Sequence, residues 1–362
     1  MISILVFLLV LSIMVVIHEF GHMMAAKKAG VRVERFALGF GRVLFARTRN
    51  GTEYALCAIP LGGYVKLAGD SEEEYKGLPD EYLSKPAFKR FLIIVFGPLL
   101  NYLLGLFLFC FIFMAGYPNL STTIGKVMPG MGAQSAGLKE GDSILSVEGV
   151  PVEHWEDIQR QIQLNTGKRA IMVKARRDGA DIDYSVPLVD MKVKDDLGQP
   201  RLVGRMGIKP TEKVVFIRYG FFAAIGKGVS KTIELTVMTY KAFYYMLVGK
   251  MSARESVTGP LGIFIITSEA AKMGVIVTMH LMAVLSISLG IFNLLPLPVL
   301  DGGHVLLLAV EKVRGKRLGK KAEEIFMQSG FGLIIFLAVL VSINDLARFG
   351  FFEKIFHFFG GK

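Results

Sequence analysis

The pentapeptide HEFGH, residues 18–22, has the residue types and spacing of a metal-dependent hydrolytic site. Positions four apart lie on one face of a helix, about 6 Å apart along its axis, so His18 and His22 can reach one metal ion. In a helical HExxH pattern the glutamate is a base for water rather than a ligand, a role open to Glu19. The alternative is a pair of histidines that pack at a helix end, and it does not explain a glutamate at this depth in an apolar stretch.

A catalytic zinc ion takes three protein ligands and keeps one open position, so HEFGH needs a third ligand from elsewhere in the chain. The segment NLLPLPVLDGGH, residues 293–304, closes an apolar stretch whose only acid is Asp301. We therefore expect Asp301 to be the third ligand. His304 and His280 are its rivals, and a helix cap is the alternative role for Asp301.

The composition that surrounds these residues is that of a membrane protein. Of 362 residues, 52% are hydrophobic, and the mean hydropathy is +0.48. Four apolar stretches reach the roughly 20 residues that cross a bilayer. The first follows no basic segment and runs directly into His18, which argues against a cleaved signal peptide. The two cysteines, Cys57 and Cys110, exclude a disulfide framework and a thiolate metal cluster.

The basic residues predict the orientation in the membrane. Lysine and arginine exceed the acids by 42 − 31 = 11, but they lie beside apolar segments, which argues against a nucleic-acid-binding domain. Residues 27–90 hold twelve of them and residues 302–324 hold six, so both segments should be cytoplasmic. HEFGH and Asp301 then lie at similar depth, toward the cytoplasmic ends of two different spans.

Two further segments have recognisable local signals. Residues 31–68 alternate apolar and polar positions around Asn50-Gly51, a strong hairpin signal, and a strand pair placed directly after a span must lie at the interface or in a protein-lined cavity. Residues 213–257 have helical periodicity interrupted by Lys231, Glu234 and Lys241. We expect an amphipathic helix on the outer membrane surface rather than a fifth span.

The second span contains FGPLLNYLLG, with a Gly-Pro pair and a polar residue among apolar ones. A proline inside a helix frees a carbonyl and kinks the helix. We expect Gly97 and Pro98 to shape a cavity and Asn101 to bond the active-site backbone; the alternative is an ordinary packed, kinked helix. Asn293 and Pro296 should likewise break the end of the third span and let Asp301 turn inward.

Together these segments resemble the site-2 protease family of intramembrane metalloproteases, in particular bacterial regulators of envelope stress that cut anti-sigma factors. HEFGH, GTEYALCAIPLGGYVKL, FGPLLNYLLG, a PDZ-like segment around AGLKEGDSILSVEG, SVTGPLGI and NLLPLPVLDGGH occur in the family's order. The resemblance implies that His18, His22 and Asp301 bind Zn²⁺ and that Glu19 activates water. It also implies that Asn293 and a membrane-reentrant sheet hold an unwound substrate, the sheet through Gly62, Gly63 and Tyr64. Some members of the family have two tandem PDZ domains, whereas one is recognisable here.

The predicted fold is a polytopic α-helical membrane protein of the bacterial inner membrane. It has four transmembrane helices, a membrane-associated β-hairpin or sheet and one extracytoplasmic PDZ-like α+β domain. The transmembrane helices are predicted at 1–30, 91–117, 275–301 and 325–347. The segments between and after them are the hairpin (31–70), a cytoplasmic loop (71–90), the PDZ-like domain (118–190), a linker with interfacial helices (191–274), a second cytoplasmic loop (302–324) and an interfacial tail (348–362).

The predicted activity is zinc-dependent endopeptidase cleavage of single-span membrane proteins, such as anti-sigma factors. The PDZ-like domain would bind peptides or trimmed substrate ends, or exclude untrimmed ones, and the lipid bilayer is the remaining partner. Two other classes compete with this hypothesis. A catalytically silent scaffold would tolerate loss of Glu19. A metal transporter would need acids or histidines in several spans, and the apolar stretches 91–116 and 325–344 of the second and fourth spans contain none.

Overall fold

A computed structural model of the chain describes residues 2–194, 200–252, 258–316 and 319–348. The described residues form two compact units. The first, called here the membrane unit, contains residues 2–112, 225–240 and the described residues from 258 onward. The second, the β-rich unit, contains residues 113–224 and 241–252.

Nine α-helices and one short 3-10 helix (Tyr82–Ser84) are described in these ranges. The α-helices are α1 (Ile2–Lys28), α2 (Ala87–Ala115), α3 (Gly132–Ser135), α4 (Trp155–Leu164), α5 (Phe221–Leu247), α6 (Pro260–Met273), α7 (Val275–Asn293), α8 (Asp301–Arg314) and α9 (Lys320–Arg348). Four of them, α1, α2, α7 and α9, are long and apolar enough to cross a membrane. The four predicted spans are thereby found as helices.

Glycines bring three of these helices into close contact. A Cβ atom at Gly21 of α1 would collide with the Phe96 carbonyl of α2, and one at Gly105 of α2 would collide with Ile287 of α7. Lipid tails are as apolar as the helix surfaces, so the hydrophobic effect does not drive helices together in a bilayer. Helix packing there depends on such small residues and on hydrogen bonds between helices. One such bond joins α7 to α2, where Ser286 Oγ donates to the Asn101 carbonyl at 3.0 Å.

Two of the predicted boundaries near the segment between α7 and α8 are wrong. Helix α7 ends at Asn293, and after a non-helical stretch that contains Pro296 a new helix begins at Asp301. The third span is therefore shorter than 275–301, and part of the predicted loop 302–324 is helix α8. The predicted break at Asn293 and Pro296 is confirmed. Val299, inside the break, has φ 72°, which is strained for a β-branched residue.

Strands β1 (Val33–Arg49) and β2 (Thr52–Leu67) form the predicted hairpin. Asn50 and Gly51, at its turn, have φ 49° and 75°, the positive pair that a type I′ turn requires. Both strands are bent, and residues 35–38 of β1 pair with 63–66 and also with 53–56 of β2. The two strands thus lie as four adjacent segments, in the order 63–67, 33–38, 52–57 and 43–49, rather than as a simple hairpin.

The β-rich unit is larger than the predicted domain at 118–190. Its strands are β3 (Tyr117–Leu120), β4 (Ile124–Val127), β5 (Ser143–Val147), β6 (Val150–Pro151), β7 (Ala170–Arg177), β8 (Ala180–Pro187), β9 (Val189–Lys194), β10 (Pro200–Arg205), β11 (Ile208–Pro210) and β12 (Val214–Ile217). Strands β11 and β12 pair with β4 and β3, and β10 pairs with β9, so the first part of the predicted linker belongs to this unit.

A four-stranded sheet in the order β6-β5-β7-β8 packs with α4 around a core that includes Ile144, Ile158 and Val173. Helix α4 begins at Trp155, and the side chain of Trp155 is buried in this core. The likeness of the unit to a PDZ domain and its extracytoplasmic position stay predictions.

Helix α5 confirms the predicted helix in residues 213–257 but not its placement. A Cβ at Gly228 would meet Cys110 of α2, and eight residues later Thr236 shares a hydrogen bond of 2.8 Å with Tyr102 of α2. Contacts eight residues apart on both helices require the two to run antiparallel side by side. This part of α5 therefore packs along α2. Helix α5 is not among the four helices that are long and apolar enough to cross a membrane, in agreement with the prediction of no fifth span in the described residues.

Of the predicted interfacial tail at 348–362, only Arg348, the last residue of α9, lies within the described residues.

An ion pair within the β-rich unit yields a prediction about stability. The Asp142 side chain is 1% exposed and accepts hydrogen bonds at 2.7 Å from both Nε and Nη2 of Arg177, and one at 2.8 Å from the Lys139 backbone. Burial by itself would raise the pKa of Asp142, but the bonds from Arg177 and Lys139 outweigh it and lower the pKa below its ordinary value of 3.8.

We expect Arg177→Gln to lower the unfolding midpoint of the β-rich unit by on the order of 10 °C, because a buried carboxylate loses its partner. Trp155 is the only tryptophan in the chain, so its fluorescence reports on this unit in the intact protein. Because the folded pKa is lowered, the stabilisation is complete above pH 3.8 and is lost as the pH falls through the folded pKa. The difference in unfolding midpoint between Arg177→Gln and the wild type should therefore become smaller as the pH falls through this range.

Arg176→Gln is the matched control. Arg176 pairs with Asp181 at 2.7 Å, but both side chains are about half exposed, and exposed pairs contribute little. Equal midpoints for Arg177→Gln and Arg176→Gln would show that the Asp142 pair does not stabilise the unit.

Candidate metal centre and active site

The structure brings His18, His22 and Asp301 together. Their ligand atoms lie within 4.8 Å of one another, and among the described residues they form the one such group of three. The two histidines lie one turn apart on α1, as the HExxH spacing predicts, and Asp301 comes from the first residue of α8. Their side chains are 11%, 15% and 17% exposed, respectively.

The spacing of the ligand atoms fits a zinc ion. His18 Nε2 lies 3.2 Å from His22 Nε2 and 3.2 Å from Asp301 Oδ2, and His22 Nε2 lies 3.5 Å from Asp301 Oδ1. Zinc bonds of 2.0–2.2 Å in a tetrahedron place neighbouring ligand atoms about 3.3 to 3.6 Å apart. Two imidazoles and a carboxylate are also a ligand set that leaves the fourth position open.

Each histidine is held through its other ring nitrogen. Nδ1 of His22 donates to the Ile93 carbonyl at 2.8 Å, which leaves Nε2 unprotonated and able to bind metal. Nδ1 of His18 lies 3.3 Å from the side-chain amide of the buried Asn101. The amide atom at this distance is the nitrogen, Nδ2. Metal binding through His18 Nε2 would put the proton on Nδ1 and would require the Asn101 amide to be turned so that its oxygen accepts that proton. Asn101 therefore bonds a ligand side chain, not the active-site backbone that the sequence predicted.

Gly97 lies directly against His22, one of the predicted metal ligands. A Cβ at this position would collide with the Nε2, Cε1 and Cδ2 atoms of His22. The next residue, Pro98, is inside helix α2, and its carbonyl would lie 2.8 Å from a Cβ at Gly290 of α7. Gly97 thus makes room for the imidazole of His22. Neither Gly97 nor Pro98 is among the residues that line the nearby cavity, so their predicted role in shaping a cavity stays a prediction.

Three further features that position Asp301 were not found from the sequence. Cβ atoms at Gly302 and Gly303 would collide with carbonyls of the segment 294–300, so the first turn of α8 can fold closely against that segment only with glycines. Farther along α8, Glu311 accepts a hydrogen bond of 2.5 Å from Arg90 of α2, whose side chain is 6% exposed. The pair of adjacent glycines directly after Asp301 was the one signal in the sequence for these features. The ion pair left no signal, because Arg90 and Glu311 are 221 positions apart in the chain.

Glu19 lines a cavity of about 610 Å³ together with His22, Asp301 and His304. His304 is thus close to the centre but not part of the ligand cluster, and His280 instead packs edge-on against Phe109. Asp301 makes no side-chain cap at the start of α8, where the N-cap is Leu300. The structure therefore favours Asp301 over both rivals and over the capping role.

Among the residues predicted to hold substrate, Gly63 is the one that the structure places beside Glu19. Asn293 is half-buried at the end of α7, and a Cβ at Gly63 would lie 2.7 Å from the Ala37 carbonyl and 3.7 Å from Cγ of Glu19. Gly62 has φ 108°, and Tyr64 accepts a hydrogen bond of 3.2 Å from Arg35 in the sheet. Their proposed contacts with substrate stay predictions.

Comparison with known proteins agrees with this geometry. The sequence matches Peptidase family M50 over residues 6–337. The chain belongs to this family. Family M50 is the site-2 protease family, so the resemblance predicted from the motifs is confirmed, and the chain is a zinc-dependent metalloendopeptidase.

Relatives of similar length support the assignment. A Rhizobium meliloti protein is 34% identical over 359 residues, which cover 94% of this chain and 95% of the relative. A Rickettsia conorii protein is 33% identical, covering 96% and 99%, and one from Clostridium acetobutylicum is 33% identical, covering 95% and 97%. All three carry the name zinc metalloprotease.

Gly97→Ala tests whether the helix contact sets the metal geometry. The added methyl group must push the His22 imidazole away, so we expect zinc affinity to fall by about 10-fold or more. Zinc per protein, measured by mass spectrometry after dialysis against a graded chelator series, gives the readout. Gly332→Ala in α9 is the control, because a Cβ there has nothing within 4 Å. Equal zinc retention in the two variants would mean that His22 is not a ligand, or that α2 can move to accommodate the added methyl group without a loss of zinc affinity.

Proposed function

We propose that this metalloendopeptidase hydrolyses peptide bonds in or near the transmembrane segment of single-span membrane proteins, including anti-sigma-factor-like substrates and signal-peptide remnants. His18, His22 and Asp301 would hold the zinc ion, and Glu19 would be the base. The observation that carries the proposal is the place of the ligand cluster: two ligands lie on spanning helix α1, and the third lies on the helix that follows spanning helix α7.

Chemistry at this depth needs water, a base and an unwound substrate, because a transmembrane helix satisfies and hides its own peptide groups. When bound, zinc supplies a Lewis acid that polarises the scissile carbonyl and acidifies a water molecule. Glu19, beside Asp301 in the same cavity, can take the proton of that water and pass it to the leaving amine. The cavity supplies the water that lipid excludes.

The sheet offers the unwound substrate its missing hydrogen bonds. Residues 63–67 form an outer segment of the β1–β2 sheet, and this segment lies beside Glu19 at Gly63. Adding a substrate strand to a sheet edge satisfies the backbone of both partners. We therefore propose that the substrate pairs with residues 63–67 while its scissile bond faces Glu19, and that Asn293 bonds the same strand.

Inner-membrane location, an extracytoplasmic β-rich unit and its binding of trimmed substrate ends belong to the same proposal. The support for them is the distribution of basic residues and the PDZ-like segment in the sequence. A unit of this kind would let only substrates that have been shortened outside the membrane approach the site.

Glu19→Gln should abolish cleavage while leaving the metal in place. We expect at least a 100-fold loss in cleavage of a tagged single-span substrate by purified protein, because a positioned acid–base group typically contributes about 10²–10⁴-fold. Zinc content should stay at the wild-type level. Glu269→Gln, at an exposed site on α6, is the matched control. Undiminished cleavage by Glu19→Gln, with cleavage still sensitive to a chelator, would place the base elsewhere and favour a different active site.

Proline tests the strand-addition step, because it removes a backbone donor. Alternate residues of an edge strand point their N–H groups outward, so we expect either Tyr64→Pro or Val65→Pro to reduce cleavage of a helical substrate by about 10-fold or more. Cleavage of an unstructured peptide should fall much less. Ala46→Pro on the opposite outer segment is the control. Full activity toward the helical substrate in both variants would exclude pairing at this edge.

A further inference from the structure

A concavity on one face of the β1–β2 sheet is separate from the catalytic cavity. Its volume is about 730 Å³, and it is lined by Phe36, Phe45, Arg47, Arg49, Asn50, Tyr54, Ala55 and Leu56. Arg47 is opposite Tyr54 in the sheet, and Phe45 is opposite Leu56, so these four side chains project from the same face. The concavity is therefore a product of the sheet register and not of a mobile loop.

The concavity carries positive charge that the protein does not neutralise. Among the described residues, no carboxylate lies within 4 Å of a side-chain nitrogen of Arg47 or Arg49. The sequence has no acid from Phe36 to Thr52. A third cation, Lys27 at the end of α1, donates to the Tyr54 hydroxyl at 3.0 Å. Two cations thus line the concavity, and a third contacts Tyr54 in its wall.

The opposite part of the concavity is apolar and exposed. Phe45 is 64% exposed and Leu56 is 43% exposed. A purely soluble anion would leave these side chains in water, and an apolar helix would leave the arginines without a counter-charge. A ligand that joins an anionic head group to hydrocarbon chains satisfies both parts.

The position of the concavity fits the boundary between head groups and hydrocarbon. Lys27 and Lys28 end the first spanning helix, and Tyr54 binds Lys27 there. The same sheet follows this helix to greater depth, where Ser12 Oγ donates to the Pro60 carbonyl at 3.4 Å. Basic and aromatic side chains at the end of a span are typical of the membrane interface.

We propose that this concavity binds an anionic phospholipid of the adjacent leaflet. Its phosphate group contacts Arg47, Arg49 and Lys27, and an acyl chain covers Phe45 and Leu56. Bound lipid anchors the segment 43–49, the outer segment of the sheet opposite to the one beside Glu19. The site is independent of the proposed proteolysis, because none of its residues belongs to the metal centre.

The test is native mass spectrometry of the full-length protein in detergent, titrated with dioleoyl phosphatidylglycerol. We expect saturable binding that weakens about fivefold in Arg47→Gln and in Arg49→Gln, and about 25-fold in the double variant. Arg42→Gln is the matched control, because Arg42 is exposed on the same strand but does not line the concavity. Phe45→Ser should weaken lipid binding while leaving binding of glycerol phosphate unchanged.

Three other outcomes would each contradict the proposed lipid site. Equal weakening by Arg42→Gln and Arg47→Gln would mean diffuse attraction to charge. Phosphatidylcholine that binds as tightly as phosphatidylglycerol would remove the role of the arginines. Glycerol phosphate that binds as tightly as the lipid would identify a soluble-anion site. Zinc content, measured on every variant, verifies that the exposed substitutions leave the membrane unit folded.

Discussion

The meeting of His18, His22 and Asp301 within a few ångströms is the constraint that the rest of the membrane unit serves. Polar groups at membrane depth are costly unless each finds a partner, and here the ligands, their supporting groups and the helix contacts satisfy one another. The Ile93 carbonyl orients His22, the Asn101 amide orients His18, and the Arg90–Glu311 pair holds the helix that carries Asp301. The three ligand atoms that remain are at distances that would suit a zinc ion.

Much of the fold could be predicted because its signals are local. Hydropathy gave the four spans, and Asn50-Gly51 gave the turn. The doubled pairing of the sheet could not be predicted, because it depends on bends at Gly39 and Gly41, whose φ values of 86° and 84° leave no mark in the sequence beyond glycine itself. Likewise, β11 and β12 pair with strands about 80 to 100 residues earlier, and periodicity carries no information about such distant partners.

The packing of α5 along α2 was not predicted for a different reason. The prediction assigned a full penalty to each charge in residues 213–257, whereas Lys231 and Glu234 pair with each other at 3.1 Å. The core of the site was predictable, since HExxH fixes two ligands and a lone acid in an apolar stretch is a natural third. The supporting residues were not, because Arg90, Ser286 and Glu311 look like ordinary residues until the helices come together.

If His22 is a zinc ligand, its contact with Gly97 gives a second criterion for separating active enzymes from pseudoenzymes. A related chain can keep both histidines, the glutamate and the aspartate and still lack room for the imidazole if any side chain occupies this position. Inspection of the ligands alone would then misclassify it. A glycine on the second span, opposite the second histidine, is as much a requirement of the metal site as the ligands themselves, although it contributes no atom to the chemistry.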